Sequence, residues 1–155
     1  MGKAVVTILL LIGVAHVAAI LNLWYFAYPW IDIPMHFVGG AWAVVLLFWI
    51  FRTRSVIGLN HPHGRSPECH LGVLGRGDEI LSKWLGVILA LSFAAFIGVL
   101  WEFFEFFFDV FISSKGYMAV AQLGTADTMK DLFFDLLGGL FAWAVIRKIL
   151  LYHGQ

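Results

Sequence analysis

The chain has 155 residues and a formal net charge of zero at pH 7, with 61% apolar and only 13% charged residues. The apolar share exceeds that of soluble globular domains, and the lack of a basic excess argues against a nucleic-acid partner. A single cysteine, Cys69, excludes an internal disulfide. The composition therefore predicts an integral membrane protein surrounded by a lipid bilayer.

Several apolar runs are long enough to cross a bilayer, since about 18 apolar residues or more suffice for a transmembrane helix. The predicted helices cover about residues 4–28, 34–51, 80–112 and 128–152, with a loop over residues 52–83. The first run exceeds the apolar core of a signal peptide, so we expect it to be retained. The fold class is therefore predicted to be all-α, a four-helix transmembrane bundle that forms one domain over residues 1–155.

The basic residues predict the orientation. With four spans, the two chain ends and the central loop share one side, which carries Lys3, Arg52, Arg54, Arg65, Arg76, Lys83, Arg147 and Lys148. The other side carries only Lys115 and Lys130. Lysine and arginine accumulate on the cytoplasmic side of membrane proteins. We therefore expect both termini in the cytoplasm of a prokaryotic cell, with the protein in its plasma (inner) membrane.

The first predicted helix ends in aromatic residues that are typical of a membrane interface, namely Trp24, Tyr25, Tyr28 and Trp30. Two polar residues come shortly before this aromatic cluster in the sequence. We interpret His16 as a packing residue whose imidazole is hydrogen-bonded, and Asn22 as a hydrogen-bonding contact between helices.

The second predicted helix begins with Asp32, Pro34 and His36. Proline suits the first helical turn, so Asp32 either only helps to begin the helix or supports His36 one turn later. His36 is a candidate metal ligand because it lies at the same predicted depth as the acids of the later helices.

The central loop contains a separate cluster over residues 61–70: His61, His63, Glu68, Cys69 and His70. Imidazole and thiolate groups bind zinc or copper. The spacing matches no zinc-finger pattern, however, so we interpret this segment as a solvated loop.

The third predicted helix carries Glu102, Glu105 and Asp109 at spacings of three and four residues, which places them on one helix face. The same face continues with small residues at four-residue intervals, Gly98, Ala94 and Ala90. Small residues allow transmembrane helices to approach closely, so Glu102 is predicted to point into the bundle. Asp109 is either part of the site or solvated beyond the membrane.

The last predicted helix carries Asp127, Asp131 and Asp135. Asp127 and Asp131 either cap the helix, with Thr128 and Asp131 as a capping box, or belong to the site. Asp135 lies too far inside the helix to cap it. The glycine pairs 39–40 and 138–139 lie about one turn below His36 and Asp135, and predict close packing of these two helices beneath the acids.

A rise of about 1.5 Å per residue places His36, Glu102, Asp131 and Asp135 in the outer third of the bilayer. Ionisable groups at membrane depth usually mark a function. We therefore predict an outward-facing site that binds a divalent metal, Mn, Fe, Zn or Mg, because carboxylates and one imidazole suit these ions. The predicted ligands are His36, Glu102, Glu105, Asp131 and Asp135, with Asp32 supporting His36. Asp127 and Asp109 are the candidate catalytic bases.

Three motifs resemble a known family: Asp32-x-x-x-His36-Phe37 with Gly39 and Gly40, Trp101-Glu102-x-x-Glu105, and Leu123-Gly124-Thr125-x-Asp127-Thr128-x-x-Asp131. Together they resemble the YjdF-like bacterial inner-membrane proteins and, more loosely, the VanZ-like proteins tied to glycopeptide-antibiotic resistance. The resemblance implies that His36, Glu102, Glu105, Asp127 and Asp131 form the polar signature of the family. It implies a site and a membrane topology but no reaction, and the loop 58–78 and Asp135 depart from the pattern.

Three functions remain open at this point. The site is a metal centre, with or without enzymatic turnover on a lipid, envelope or small-molecule substrate at the outer leaflet. Alternatively, the acids carry protons or cations. The apolar inner half of the helices argues against this, and a chain of four helices would also have to form a homo-oligomer to make a path. The third alternative is a non-catalytic accessory or binding protein.

Overall fold

The computed structural model describes residues 2–58, 75–116 and 123–153. It contains the helices α1 (Gly2–Leu21), α2 (Trp24–Ala27), α3 (Asp32–Gly58), α4 (Gly75–Phe111) and α5 (Thr125–His153), with short 3₁₀ turns at Pro29–Ile31 and Ser113–Lys115. Within these ranges no strand occurs. The all-α prediction is confirmed.

Three segments of the described chain are long and apolar enough to cross a membrane: Gly2–Leu21, Pro29–Phe51 and Trp84–Lys115. They belong to α1, α3 and α4. Helix α5 is also long, at 29 residues. It carries Asp131, Asp135, Arg147 and Lys148 within its apolar sequence, and its membrane crossing stays a prediction.

The first helix is shorter than the predicted range of 4–28, because α1 ends at Leu21. Leu23 adopts the left-handed conformation, with φ 54°, which a helix cannot contain. The Asn22 side chain donates a hydrogen bond to the Ala18 carbonyl at 2.7 Å, inside the last turn of α1. The chain therefore turns sharply here and forms α2 separately.

The other boundaries extend beyond the predicted ones. Helix α3 continues to Gly58 and α4 begins at Gly75, so both enter the predicted loop 52–83. An apolar run marks the part of a helix that suits a bilayer, whereas the helix itself continues into polar sequence. The cluster of histidines and cysteine at residues 61–70 lies outside the described residues.

Helix α5 begins at Thr125, three residues before the predicted start. The amides of Asp127 and Thr128 both donate to the carbonyl of Gly124, at 2.9 and 3.1 Å, and Gly124 has a φ of 112° that suits glycine. Thr128 therefore lies inside the helix and does not cap it, contrary to the capping-box interpretation. Asp131 therefore does not form a capping box with Thr128.

Helices α3, α4 and α5 pack against one another, and α1 packs against α3. The apolar core beneath the acids consists of small side chains around one valine: Val44, Ala90, Ala94 and Ala142. The backbones of α3 and α5 touch directly, since a Cβ atom added at Gly40 would overlap the carbonyl of Asp135 and one added at Gly138 would overlap that of Phe37. The predicted close approach of these helices is confirmed, and it fixes Asp135 against α3.

Helix α1 is attached to α3 through tryptophans on α3. The Trp42 indole donates a hydrogen bond to the Val5 carbonyl at 2.9 Å, and Gly2 lies against the ring of Trp49. These contacts hold the N-terminal half of α1, while its C-terminal half faces the polar residues described next.

Candidate functional site

His36 lies at the centre of the polar residues, and only 5% of its surface is exposed. Its Nδ1 atom donates a hydrogen bond to Asp135 Oδ2 on α5 at 3.3 Å. Its Nε2 atom lies 3.5 Å from Asp32 Oδ1, one turn earlier on α3, and 4.0 Å from Asp131 Oδ1 on α5. The two ring nitrogens of one imidazole therefore face different carboxylates.

Gly98 on α4 makes the space in which the Asp135 carboxylate sits, since a Cβ atom added there would overlap Asp135 Oδ2. On the α3 side, a Cβ atom added at Gly39 would be in ordinary contact with Asp135 Oδ1. Because the backbones of two neighbouring helices enclose this carboxylate, its bond to His36 has a fixed direction. Asp135 thus holds the imidazole in one orientation.

Lys130 covers one edge of this arrangement. Its Nζ atom lies 2.6 Å from Asp127 Oδ1, 3.3 Å from Asp32 Oδ2 and 3.4 Å from Asp131 Oδ1. Asp127 also accepts a weaker hydrogen bond from the backbone amide of Leu123, at 3.3 Å, just before α5. Asp127 therefore contacts the backbone at the start of α5 and also lies beside the polar cluster through Lys130.

Helix α4 adds Glu102 and Glu105, which are buried although four phenylalanines around them are more than 45% exposed: Phe103, Phe104, Phe106 and Phe107. The indole of Trp101 donates a hydrogen bond to Glu105 Oε1 at 2.9 Å. Phenylalanine covers the outer surface of the helix, and the acids point inward. The predicted inward face of this helix is confirmed.

Among the described residues, two groups of side chains could hold a metal ion. One consists of Asp32, His36 and Asp131, and the other of His36, Glu102 and Glu105. In each group, one ligand atom from every residue lies within 4.8 Å of the others. His36 is common to both, so the two groups adjoin around one imidazole.

The predicted residues thus divide into two sets. The structure brings together residues from three helices: Asp32, His36, Glu102, Glu105, Asp127, Asp131 and Asp135. Asp109 is apart from them, since its Oδ1 atom accepts a hydrogen bond from the Ser113 hydroxyl at 2.9 Å, where α4 ends.

Two residues were not predicted to lie beside the site, His16 on α1 and Tyr25 on α2, although the hydrogen-bonded imidazole predicted for His16 is confirmed. His16 Nδ1 and the Tyr25 hydroxyl are hydrogen-bonded at 2.7 Å, and the His16 ring meets Trp101 edge-on with centroids 4.7 Å apart. Burial raises the pKa of Tyr25, which keeps its hydroxyl protonated. A histidine followed nine residues later by tyrosine gives no helical signal, because the bend at Leu23 brings them together.

Three cavities meet at these residues. The largest, of about 580 Å³, extends from His16 and Tyr25 to Asp32, Glu105 and Asp127. A smaller one of about 100 Å³ reaches His36 and Asp135, and a third of about 190 Å³ lies between α1 and α4. The polar cluster is therefore reachable from a chamber that could hold a small ligand.

Comparison with known proteins adds a family but no activity. No curated protein and no solved structure matches the chain. One family model matches residues 1–151, and its description is a predicted membrane protein (DUF2238). The match covers nearly the whole chain, including every residue of the polar cluster. The chain therefore belongs to the DUF2238 family of predicted membrane proteins.

Proposed function

We propose that this membrane protein binds a divalent metal ion between α3, α4 and α5. The observation that carries the proposal is the shared position of His36 in two adjoining groups of carboxylates. An imidazole nitrogen and several carboxylate oxygens suit Mn, Fe, Zn or Mg, and metal sites inside helical bundles are built from such facing side chains.

The balance of charge supports a bound cation. Six carboxyl groups face two basic side chains, His36 and Lys130; the six are Asp32, Glu102, Glu105, Asp127, Asp131 and Asp135. Asp131 is only 2% exposed, and its buried Oδ1 atom makes no hydrogen bond. A carboxylate oxygen buried in this way is costly unless a cation approaches it. The Lys130 ammonium lies 3.4 Å from this atom, but it also contacts Asp32 and Asp127, so one positive charge is shared among three carboxylates. A divalent ion would compensate this carboxylate oxygen.

The geometry refines the roles of two aspartates. A histidine that binds a metal through one nitrogen usually donates its other N–H to a carboxylate. Asp135 takes that bond at Nδ1, which leaves Nε2, with Asp32 and Asp131 nearby, for the metal. We infer that Asp32 is a ligand and that Asp135 orients His36, the reverse of the roles predicted from the sequence.

The membrane arrangement is also part of the proposal. The three apolar segments and the length of α5 support four transmembrane helices, and the distribution of lysine and arginine supports cytoplasmic termini in a prokaryotic inner membrane. The site then faces outward. The order of the polar motifs further supports a relationship to the YjdF-like and VanZ-like proteins.

The test is elemental analysis of the purified protein after reconstitution with Mn, Fe, Zn and Mg. We expect near-stoichiometric metal in the wild type and little in a Glu102→Gln/Asp131→Asn variant, which keeps side-chain size and removes two charges.

The control for this test is a His61→Ala/His63→Ala variant, which removes imidazoles from the central loop. We expect it to retain the metal. A wild type that holds no metal after every reconstitution, or a metal that only the loop variant loses, contradicts the proposal.

Replacement of Lys130 should strengthen metal binding. Its ammonium group lies within 3.4 Å of carboxylates of Asp32, Asp127 and Asp131, so it competes with a metal for their charge. In Lys130→Met we expect the Kd for Mn²⁺ to fall on the order of tenfold, because the removed charge acts at short range in a medium of low dielectric constant. Isothermal titration measures this Kd. The control Lys115→Met, in the turn after α4, should leave it unchanged; weaker binding in Lys130→Met would show that Lys130 supports the site instead.

A further inference from the structure

Both acidic and apolar side chains line the largest cavity. The acids are Asp32, Glu105 and Asp127. Asp32 and Glu105 also belong to the two groups proposed to hold the metal. The apolar lining residues are Ala19, Ile20, Leu23, Phe26, Pro29, Phe108 and Leu123. A ligand that fills this space must therefore be amphipathic.

A second cavity adjoins the largest one between α1 and α4. The cavity of about 190 Å³ shares His16, Ile20, Glu105 and Phe108 with the large one. It is completed by Val17 and Leu21 of α1 and Phe104 of α4. These three side chains are 53%, 67% and 52% exposed on the outer surface of the helices. A gap between α1 and α4 thus leads from the bilayer to the carboxylates.

The shape of this space suits one hydrocarbon chain with a small headgroup. A volume of about 580 Å³ lies within the range of ligand pockets, roughly 300 to 1,000 Å³. The gap is lined mainly by apolar side chains that are exposed on the helices, so a hydrocarbon chain can stay in contact with apolar surface as far as the acids of the cavity.

The acidic residues of the cavity favour a phosphate over an amine once the metal is present. A divalent ion held by oxygen ligands accepts phosphate oxygens readily in its remaining coordination positions. An amine would instead compete with the metal and with Lys130, which already contacts Asp127 and Asp32. The metal therefore supplies the positive charge that attracts a phosphate, which the surrounding acids alone would repel.

We propose that the cavity binds an amphipathic phosphate monoester, with the phosphate at the metal and a single hydrocarbon chain leaving between α1 and α4. This inference rests on the proposed metal site. It identifies a lipid-like phosphate as the class of ligand and the gap between the two helices as its route from the membrane.

Asp127 is positioned to act on such a ligand. It lines the large cavity and is ion-paired with Lys130, whereas Asp109 lines none of the three cavities. Of the two candidate bases predicted from the sequence, Asp127 is the one that faces the bound headgroup.

The experiment uses dodecyl phosphate with a photoreactive diazirine on its chain, added to the full-length protein in phosphatidylcholine nanodiscs. After illumination, mass spectrometry locates the crosslinks. We expect them on α1 and α4, at or beside Val17, Leu21 and Phe104, in Mn²⁺-loaded protein, and at least tenfold fewer after the metal is removed.

A matched pair of variants tests the route. Val17→Trp fills the gap, whereas Val14→Trp places the same ring one turn earlier on α1, where valine is 68% exposed and lines none of the cavities. We expect Val17→Trp to reduce the crosslinks at least tenfold and Val14→Trp to leave them unchanged. Both variants should keep their metal, as measured separately by elemental analysis.

Three ligand controls separate the outcomes. Inorganic phosphate should compete only at much higher concentration, because it lacks the chain. Diazirine-labelled dodecanol should crosslink without dependence on metal and without preference for the gap. The inference is overturned if labelled dodecyltrimethylammonium occupies the gap in place of the phosphate, if the crosslinks spread over all lipid-exposed helices, or if Val17→Trp has no effect. Metal present without localised crosslinks refutes this inference alone, whereas the absence of metal refutes the proposed function as well.

Discussion

A His36→Gln variant should lose the metal almost completely. His36 belongs to both groups of ligands, so one substitution removes the imidazole from each. Changes to residues that merely support a ligand weaken metal binding by about 10- to 100-fold, and loss of the shared ligand should exceed that. We therefore expect the Kd for Mn²⁺ to rise more than about 100-fold, measured by titration of the metal-free protein.

The control for this prediction is Asp109→Asn. Asp109 hydrogen-bonds Ser113 at the end of α4 and belongs to neither group of ligands. Metal binding in this variant should be that of the wild type. Circular dichroism establishes that His36→Gln keeps its helical content, and a folded His36→Gln protein with unchanged affinity would rule out the intramembrane site.

Gly138→Leu should destabilise the bundle strongly. The backbone of α3 touches this position, and a side chain would overlap the Phe37 carbonyl and approach the Ala41 amide at 3.0 Å. Overpacked cores lose typically about 1–3 kcal/mol, and a backbone cannot rotate away as a side chain can. We expect a loss of about 3 kcal/mol or more in the free energy of unfolding, measured by denaturant titration in detergent micelles.

Gly13→Leu is the matched control, because a Cβ atom added at Gly13 on α1 meets nothing within 4 Å. Leucine is a better helix former than glycine by up to about 1 kcal/mol, so this variant should be neutral or slightly more stable. Equal stability of the two leucine variants would mean that α3 and α5 are further apart than described.

The inward direction of the acids, and their common level along neighbouring helices, were predictable from the sequence for a physical reason. In a helix the rise per residue fixes depth, and the spacing of three or four residues fixes the face. Glu102 and Glu105, together with Gly98 and Ala94, follow that spacing through α4, and all four are buried. The convergence of His36, Glu102 and Asp131 could therefore be predicted from helix geometry and one assumption, that the helices share a membrane interface.

The contribution of the first helix could not be predicted in the same way. The apolar run continues through residues 4–28, whereas the backbone turns at Leu23 into a conformation that hydropathy does not register. That turn places Tyr25 against His16 and creates the wall of the largest cavity. Sequence periodicity describes one helix at a time, so it missed a site wall formed by a bend.

The roles of Asp32 and Asp135 also required the structure. Both are acids near His36, and spacing alone cannot tell which ring nitrogen each one faces. The distinction comes from Gly98, which leaves room for the Asp135 carboxylate, and from the hydrogen bond between that carboxylate and Nδ1. Which ring nitrogen each acid faces thus depends on contacts between α3, α4 and α5, which the spacing of residues along one helix does not describe.

The most direct test of the metal site is X-ray absorption spectroscopy of the metal-loaded protein at the absorption edge of the bound Mn, Fe or Zn. We expect a coordination shell of oxygen and nitrogen only, with the outer-shell scattering of a single imidazole, and the loss of that imidazole signal in His36→Gln. A sulfur ligand, which lies at about 2.3 Å from zinc, would place the metal at Cys69 in the central loop and contradict the intramembrane site. Scattering from several imidazoles that survives His36→Gln would contradict it equally.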